Sequence, residues 1–400
     1  STPSLTKVGL GTAFLYGDST FGGNLIVEQG ILAMVGTGTA ALTSGSISVQ
    51  PAGILRLAAA SNASGASQIA VNTDGNGIGV LALAYNGAVP SNVTFNTTFA
   101  NANGILAIDA FGFSTALDFA GTTRFLGASL GGNYTAATLG VGSGNAYRLG
   151  GGGNTLTLMT PVLTGASNSV IFGMLNAAPG ANLINNTGTV VLNAANTYAG
   201  GTTLNGGVSV QLGNDLSLGT GALNFNGGTI QPDAAGLATL LPVRTLSNAI
   251  TFAGTQAVSV VAPGGTLITI NGAYAADMFI GAGGSTDLRL TGSVALGSNI
   301  ERTISISNTA TRVITLGGQI TGSGSAGLIL TGGGGYLKLT NPSNSYSGNT
   351  AVANSATLVI GTAGALPSAS TLVGAGGNVG FWDISTTFQN NVHLIGNLAF

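Results

Sequence analysis

The segment N-T-Y-A-G-G-T-T-L-N-G-G-V-S-V-Q-L-G at 196–213 holds one aromatic residue, five glycines and no charge. It offers no acid, base, thiol or imidazole, so whatever it does it does through shape. Val208, Val210 and Leu212 recur at every second position, the period of a strand with one buried face. Gly200-Gly201 and Asn205-Gly206 are expected to mark corners, because Gly and Asn tolerate positive φ. A unit this short cannot bury its own apolar row. It must stack on similar units above and below, as repeat proteins do.

The same cadence returns at 21–36 and 346–361. In all three copies an aromatic residue (Phe21, Tyr198, Tyr346) precedes a closing glycine by 15 positions, and a branched apolar residue (Val27, Leu204, Val352) falls six after the aromatic. The three aromatics are expected to be structural, each packing on a neighbouring coil or covering a corner. Between the copies the texture persists: T-L-T-L-M at 155–159, T-I-S-I-S at 303–307 and R-V-I-T-L at 312–316 alternate over strand-length runs. A helical pattern is confined to 233–242, where Leu237, Leu240 and Leu241 lead to Pro242.

Composition narrows the class. Of 400 residues 68 are glycine, and charged residues make up 5%, against about a quarter in ordinary domains. Disorder combines low hydrophobicity with high net charge, whereas this chain is 44% hydrophobic with a formal charge of −2. Nine scattered Lys and Arg and a pI near 5.1 leave no basic footprint for nucleic acid. Gly, Asn and Thr interrupt every apolar run well before the ~20 residues of a membrane helix. With no cysteine, disulfides and thiolate metal sites are excluded. That also suits a chain kept unfolded during export.

The runs L-T-K-V-G-L-G-T (5–12), G-T-V-V-L-N-A-A-N-T-Y-A-G-G-T-T-L-N-G-G (188–207) and G-Q-I-T-G-S-G-S-A-G-L-I-L-T-G-G-G-G-Y-L-K-L-T (318–340) resemble the autotransporter-associated β-strand repeat. The last continues into N-S-Y-S-G-N-T (344–350), as that repeat does. The resemblance implies a right-handed parallel β-helix in a bacterial surface passenger protein, and it brings no catalytic residues. The expected fold is therefore all-β, a right-handed parallel β-helix (β-solenoid) with irregular Gly/Asn-rich turns and little or no helix. One continuous solenoid is expected over 1–400, within a longer chain or fibre, with repeat-like units near 5–57, 188–230 and 313–366. Coils of roughly 20–25 residues would number about 16–20. The runner-up fold is an array of antiparallel sandwiches, because Asn-Gly also closes hairpins. V-H-L-I-G-N-L-A-F (392–400) alternates and ends in Phe like an outer-membrane strand, but one Trp and eight Tyr do not furnish aromatic girdles.

The search for chemistry turns up few candidates. Gly322 to Gly327 matches G-x-G-x-x-G, but Leu328-Ile329-Leu330 follows as a strand where a dinucleotide site needs a helix N-terminus. A β-turn is the simpler reading. His393 is the single histidine, and no G-x-S-x-G elbow accompanies it. Asp74 and Asn76 share a Gly-rich turn, without the successive repeats of a calcium-binding nonapeptide. Carbohydrate hydrolysis or elimination on a β-helix needs convergent carboxylates. The eleven acids are Asp18, Glu28, Asp74, Asp109, Asp118, Asp215, Asp233, Asp277, Asp287, Glu301 and Asp383. Asp215 with Asp233, and Asp109 with Asp118 and Arg124, are the two groupings able to converge. Phe111, Phe113, Phe119 and Phe125 could form a sugar-stacking platform, though core filling at period two accounts for Phe111 and Phe113.

No catalytic, cofactor-binding or metal-binding residue is expected, and no cofactor. The expected function is a non-enzymatic structural protein of the bacterial cell surface, extracellular, forming a stalk, fibre or coat. An adhesin or glycan-binding passenger is the alternative, and a β-helical polysaccharide-degrading enzyme the third. The expected partners are further copies by end-to-end stacking or filament formation, together with cell-envelope components or surface glycans. Apolar end segments, Leu5 to Gly9 and His393 to Phe400, with Lys7 and His393 their only basic residues, are what suggest the stacking.

Overall fold

A computed structural model describes residues 4–16, 21–35, 45–97, 102–175, 183–233, 243–252, 278–281, 287–307, 313–333, 335–382, 384 and 389–394. The fold is an all-β parallel solenoid. Among the described residues the strand ladders are parallel, which excludes the antiparallel sandwich. Among the described residues the helical content is one 3-10 turn at Ala60–Ala63. The proposed helix at 233–242 lies, past Asp233, outside the described residues.

The chain divides into two compact units. The first comprises Ser1–Gly200 with Asn205–Val210. Its main ladder climbs through Asn24–Val35, Ser46–Leu57, Val80–Leu83, Ile105–Ile108, Phe125–Gly127, Ala146–Leu149 and Ser169–Phe172. In-register pairing turns the strands' apolar rows into columns. Ile54 lies on Val80, Val80 on Ile105 and Ile105 on Phe125. The neighbouring column runs Leu55, Leu81, Leu106, Leu126, Leu149 and Phe172. These two columns face opposite ways, yet both are buried. V-L-A-L and I-L-A-I are continuous apolar runs for that reason: a strand covered on both faces has no side to give to water.

What covers the outer face is a strap. Met174 and Leu183 pack against Ile54, Val80, Ile105 and Phe125. Ile184 pairs with the coil at Asn76 to Ile78, and Asn185 Nδ2 donates to Ile78 O at 2.8 Å across 107 residues of sequence. Asn185 O accepts from Gly152 N (2.7 Å) and Thr187 O from Gly153 N (2.8 Å). Gly150, Gly151, Gly152 and Gly153 all have φ between 89° and 101°. Four successive residues in that region require four glycines.

The second unit comprises Gly201–Leu204 with Gln211–Phe400. Three ladders give it a three-sided cross-section. One runs through Leu223–Asn226, Ile250–Phe252, Val294–Ser298 and Ile320–Ser323. Another runs through Thr229–Pro232, Met278–Gly281, Glu301–Ser307, Gly327–Thr331, Thr350–Ala353, Leu372–Ala375 and Val392–Leu394. The third runs through Val243–Leu246, Asp287–Leu290, Val313–Leu316, Tyr336–Leu339, Thr357–Ile360 and Asn378–Phe381. The expected alternation holds at Leu156 and Leu158, at Ile314 and Leu316 and at Val208, Val210 and Leu212, all of them buried. It fails at 303, where Thr303 is buried beside Ile304.

The described residues trace about 13 turns, fewer than the sequence periodicity suggests. Coil length is uneven: Ile105 and Phe125 are adjacent rungs, as are Ile250 and Val294, although the second interval is more than twice the first.

Candidate functional site

The repeated unit builds a corner, and its parts can be read residue by residue. Tyr198 and Tyr346 are fully buried and Phe21 half-buried, while Val27, Leu204 and Val352 all lie in the core. Nine positions after each aromatic the backbone turns left-handed, at Gly30 (φ 71°), Gly207 (φ 94°) and Ser355 (φ 61°). The corner therefore falls one residue later than expected, because Asn205 stays in its strand and donates to Gly173 O at 2.8 Å. Gly201, at φ 95°, makes the earlier corner as expected.

Two residues before the tyrosine, a buried asparagine clamps neighbouring coils. Asn344 accepts from Ile320 N at 2.8 Å and donates to Ala365 O at 2.7 Å, reaching 24 residues back and 21 forward. Asn196 holds the same place before Tyr198 and accepts from Leu163 N at 3.2 Å. Asn248 and Asn390 serve other corners: Asn248 donates to Gly221 O at 2.6 Å and Asn390 to Pro367 O at 2.6 Å. Tyr346 Oη and Thr350 Oγ1 lie 2.7 Å apart, and Thr350 Oγ1 continues to Ser370 Oγ at 2.9 Å. Burial, offset by these hydroxyls, pushes the Tyr346 phenol up to about 12. A groove of about 630 Å³ runs beside this corner, past Asn344, Tyr346, Pro367, Phe381 and Asn390. Neither a carboxylate nor a basic side chain is among the described residues lining it.

The two carboxylate groupings resolve differently. Asp215 and Asp233 do converge, on Arg244. Its guanidinium donates from Nε (2.9 Å) and Nη2 (2.8 Å) to the two oxygens of Asp233, and Nη1 lies 3.9 Å from Asp215. The bidentate Asp233 hydrogen bonds are the main reason the Arg244 pKa is raised. Asp215 also accepts from Thr245 N at 3.1 Å. The bidentate pair ties Asp233 to Arg244 across the corner.

Of Asp109, Asp118 and Arg124, Asp109 goes its own way, while Asp118 and Arg124 stay beside one cleft. Asp109 is buried, accepts from Ser129 N (2.8 Å), Leu130 N (2.9 Å) and the Ser129 hydroxyl, and pairs with Arg56 Nε at 3.3 Å. Asp118 is exposed and accepts from Ala120 N at 2.9 Å. Arg124 instead lies over two rings, 4.9 Å from the Phe95 centroid and 5.7 Å from that of Phe119.

The remaining candidates fall at separate places in the fold. Asp74 Oδ1 accepts from Asn76 N and Gly77 N, closing an Asx turn. Residues Ser323–Ala326 form a β-turn with Ala326 N donating to Ser323 O at 3.2 Å, so the G-x-G-x-x-G match is a corner between strands. His393 is exposed on the strand Val392–Leu394. Asp287 Oδ1 accepts from Val313 N at 3.0 Å, and Glu28 is exposed. Asp18, Asp277 and Asp383 lie outside the described residues. Phe113, Phe119 and Phe125 are core residues, but Phe111 is 83% exposed. Gly112, at φ 73°, turns the chain between Phe111 and Phe113, so equal parity does not give an equal face.

Glu301 was missed by pattern reasoning, which placed the polar positions of its strand on the solvent side. It is buried, its Oε2 has no hydrogen-bond partner, and desolvation raises its pKa to about 7. Arg302 beside it turns to Leu296 O (2.9 Å) and the Phe252 ring.

Residues 5–34, 185–208 and 332–360 match the passenger-associated-transport repeat. Each match contains one aromatic of the corner unit, and the second and third also contain the asparagine clamp. No curated protein and no solved structure matches the chain significantly. The chain thus carries three segments similar to the passenger-associated-transport repeat, each on parallel coils.

Proposed function

We propose that this chain is a non-enzymatic, structural part of an autotransporter passenger, exposed outside the bacterial cell and serving as stalk, fibre or coat. The observation that carries the reading is the coincidence of repeat and clamp. Where the passenger repeat matches, the polar side chains go into coil-to-coil bonds such as those of Asn344 and Tyr346, and not into a reactive constellation. The two best-formed ion pairs, Arg244 with Asp233 and Arg56 with Asp109, are likewise occupied internally.

Self-association is part of the proposal. The strands Ser4–Lys7 and Thr12–Tyr16 both lie against Asn24–Val35, and they and their connection present Leu5, Val8, Leu10, Phe14 and Tyr16 to solvent. Phe14 and Tyr16 stack with centroids 5.8 Å apart. An apolar strand edge of this kind accepts another coil by backbone pairing. Light scattering of residues 1–400 over a range of concentrations tests this, with growth in size as the expected result and a monomer throughout as the refuting one. Protease shaving of intact cells producing the native protein tests the location: the repeats should be cleaved from outside.

A further inference from the structure

We infer that the cleft beside Arg124 is a binding subsite for one neutral sugar residue of a glycan. The cleft encloses about 320 Å³ between two loops of the first unit, at the small end of the range for ligand sites. Its apolar wall is Val89, Pro90, Val93 and Leu106, and its polar rim is Asp118 and Arg124.

Arg124 is distinctive among the described half-buried and buried arginines. Arg56, Arg148, Arg244 and Arg302 each donate to a protein oxygen. Arg124 is half-buried and donates to none, held instead over the Phe95 and Phe119 rings. Stacking on aromatic faces fixes the plane of a guanidinium while leaving its edge N–H groups available. Burial lowers its pKa, with Asp118 opposing that effect. The protein therefore bears the cost of desolvating a five-donor group and gives that group no acceptor. A ligand oxygen completes it.

The choice of a neutral sugar follows from charge and from pairing. Asp118 stands on the same rim as an acceptor, so the site offers donors and a carboxylate together with no net charge. Vicinal hydroxyls, which accept from an arginine edge and donate to a carboxylate, match that pair, and the apolar face of a pyranose matches Pro90 and Val89. A ligand carboxylate would meet Asp118 as a like charge. The loops are also braced in advance. Asn86 Oδ1 accepts from Ser114 N (3.0 Å) and Thr115 N (3.1 Å), Asn86 Nδ2 donates to Ser114 Oγ (2.7 Å), and Tyr85 Oη donates to Ala88 O (2.9 Å). A braced cleft loses little entropy on binding.

The test is ligand-observed NMR on residues 1–400 with methyl glucoside, galactoside, mannoside and glucuronide, followed by titration. At least one neutral glycoside should bind. Arg124→Met, which keeps the apolar stem over the rings, should weaken that binding at least tenfold while the melting temperature holds. Asp118→Asn, which keeps the turn bond to Ala120, should weaken it severalfold. Absence of binding by all three neutral glycosides, preference for the glucuronide, or binding indifferent to Arg124→Met would each overturn the assignment. None of these results bears on the stalk proposal, which is read by particle size.

Discussion

Asn185 Nδ2 donates to Ile78 O at 2.8 Å, joining residues 107 positions apart. Coil-to-coil bonds elsewhere span far less sequence, 20 positions from Asp109 to Ser129 and 45 from Thr291 to Leu246. The strap around Asn185 thus turns several nearest-neighbour interfaces into one cooperative block. Asn185→Ala should cost about 1–3 kcal/mol, the range for leaving a buried acceptor unpaired. Hydrogen exchange should accelerate at 76–78, 152–153 and 184–187 together, while the second unit keeps its protection. Loss confined to the substituted residue would show that the strap does not couple the coils.

Ser355 adopts φ 61° at the position where the other two repeats carry Gly30 and Gly207. A left-handed L-residue costs roughly 1–2 kcal/mol, and glycine's added freedom in the unfolded chain returns part of the gain. Ser355→Gly is expected to stabilise the protein by about 0.5 kcal/mol on that balance. At Gly30 no reciprocal exchange is tolerated, since a Cβ there would collide with the carbonyl oxygens of Gly9 and Gly11. Gly30→Ala should therefore destabilise clearly. Chemical denaturation of the two variants reads both signs.

Much of this was legible in the sequence, and the reason is period two combined with stacking. Once Val27, Leu204 and Val352 share a phase behind their aromatics, their burial follows from strand geometry alone. The strap was not legible, because alternation cannot distinguish an outer face bathed in water from one covered by a segment a hundred residues away. V-L-A-L and I-L-A-I carried the hint, as runs with no polar face. Phe111 and Thr303 show the other limit: a left-handed Gly112 or a two-face-buried strand end breaks parity locally. Arg124 was named beside Asp109, but only the fold reveals that Asp109 bonds Arg56 and leaves Arg124 to the phenylalanines.

Glu301 supplies a pH prediction. Its pKa is raised by desolvation to about 7 from 4.5. Below the unfolded value both states hold the proton and no penalty exists. Between pH 4.5 and 7 the native state holds more protons than the unfolded one, so stability falls as pH rises, and above that window the loss is complete. At ~1.4 kcal/mol per unit, with partial solvent access reducing the effect, the loss amounts to about 1–2 kcal/mol. Glu301→Gln should flatten this part of the profile. Unfolding free energies of both proteins at pH 5, 6, 7 and 8 decide it, and parallel curves would remove Glu301 as the cause.

Tyr346 separates the stacking role from recognition. Its ring is fully buried, and its hydroxyl joins the chain through Thr350 to Ser370, one coil further on. Tyr346→Phe keeps the ring and leaves Thr350 bonded to Ser370, so the expected loss is about 1 kcal/mol, that of one net hydrogen bond. Tyr346→Ala removes the ring as well and should cost about 3–5 kcal/mol, as large aromatic truncations in cores do. The loss should appear as early opening of the coils at 320–323, 350–353 and 372–375, read by hydrogen exchange. Binding at the Arg124 cleft, which lies in the other compact unit, should be unchanged in both variants. If Tyr346→Ala left these coils protected, the corner aromatic of the repeat would not be what holds neighbouring turns together.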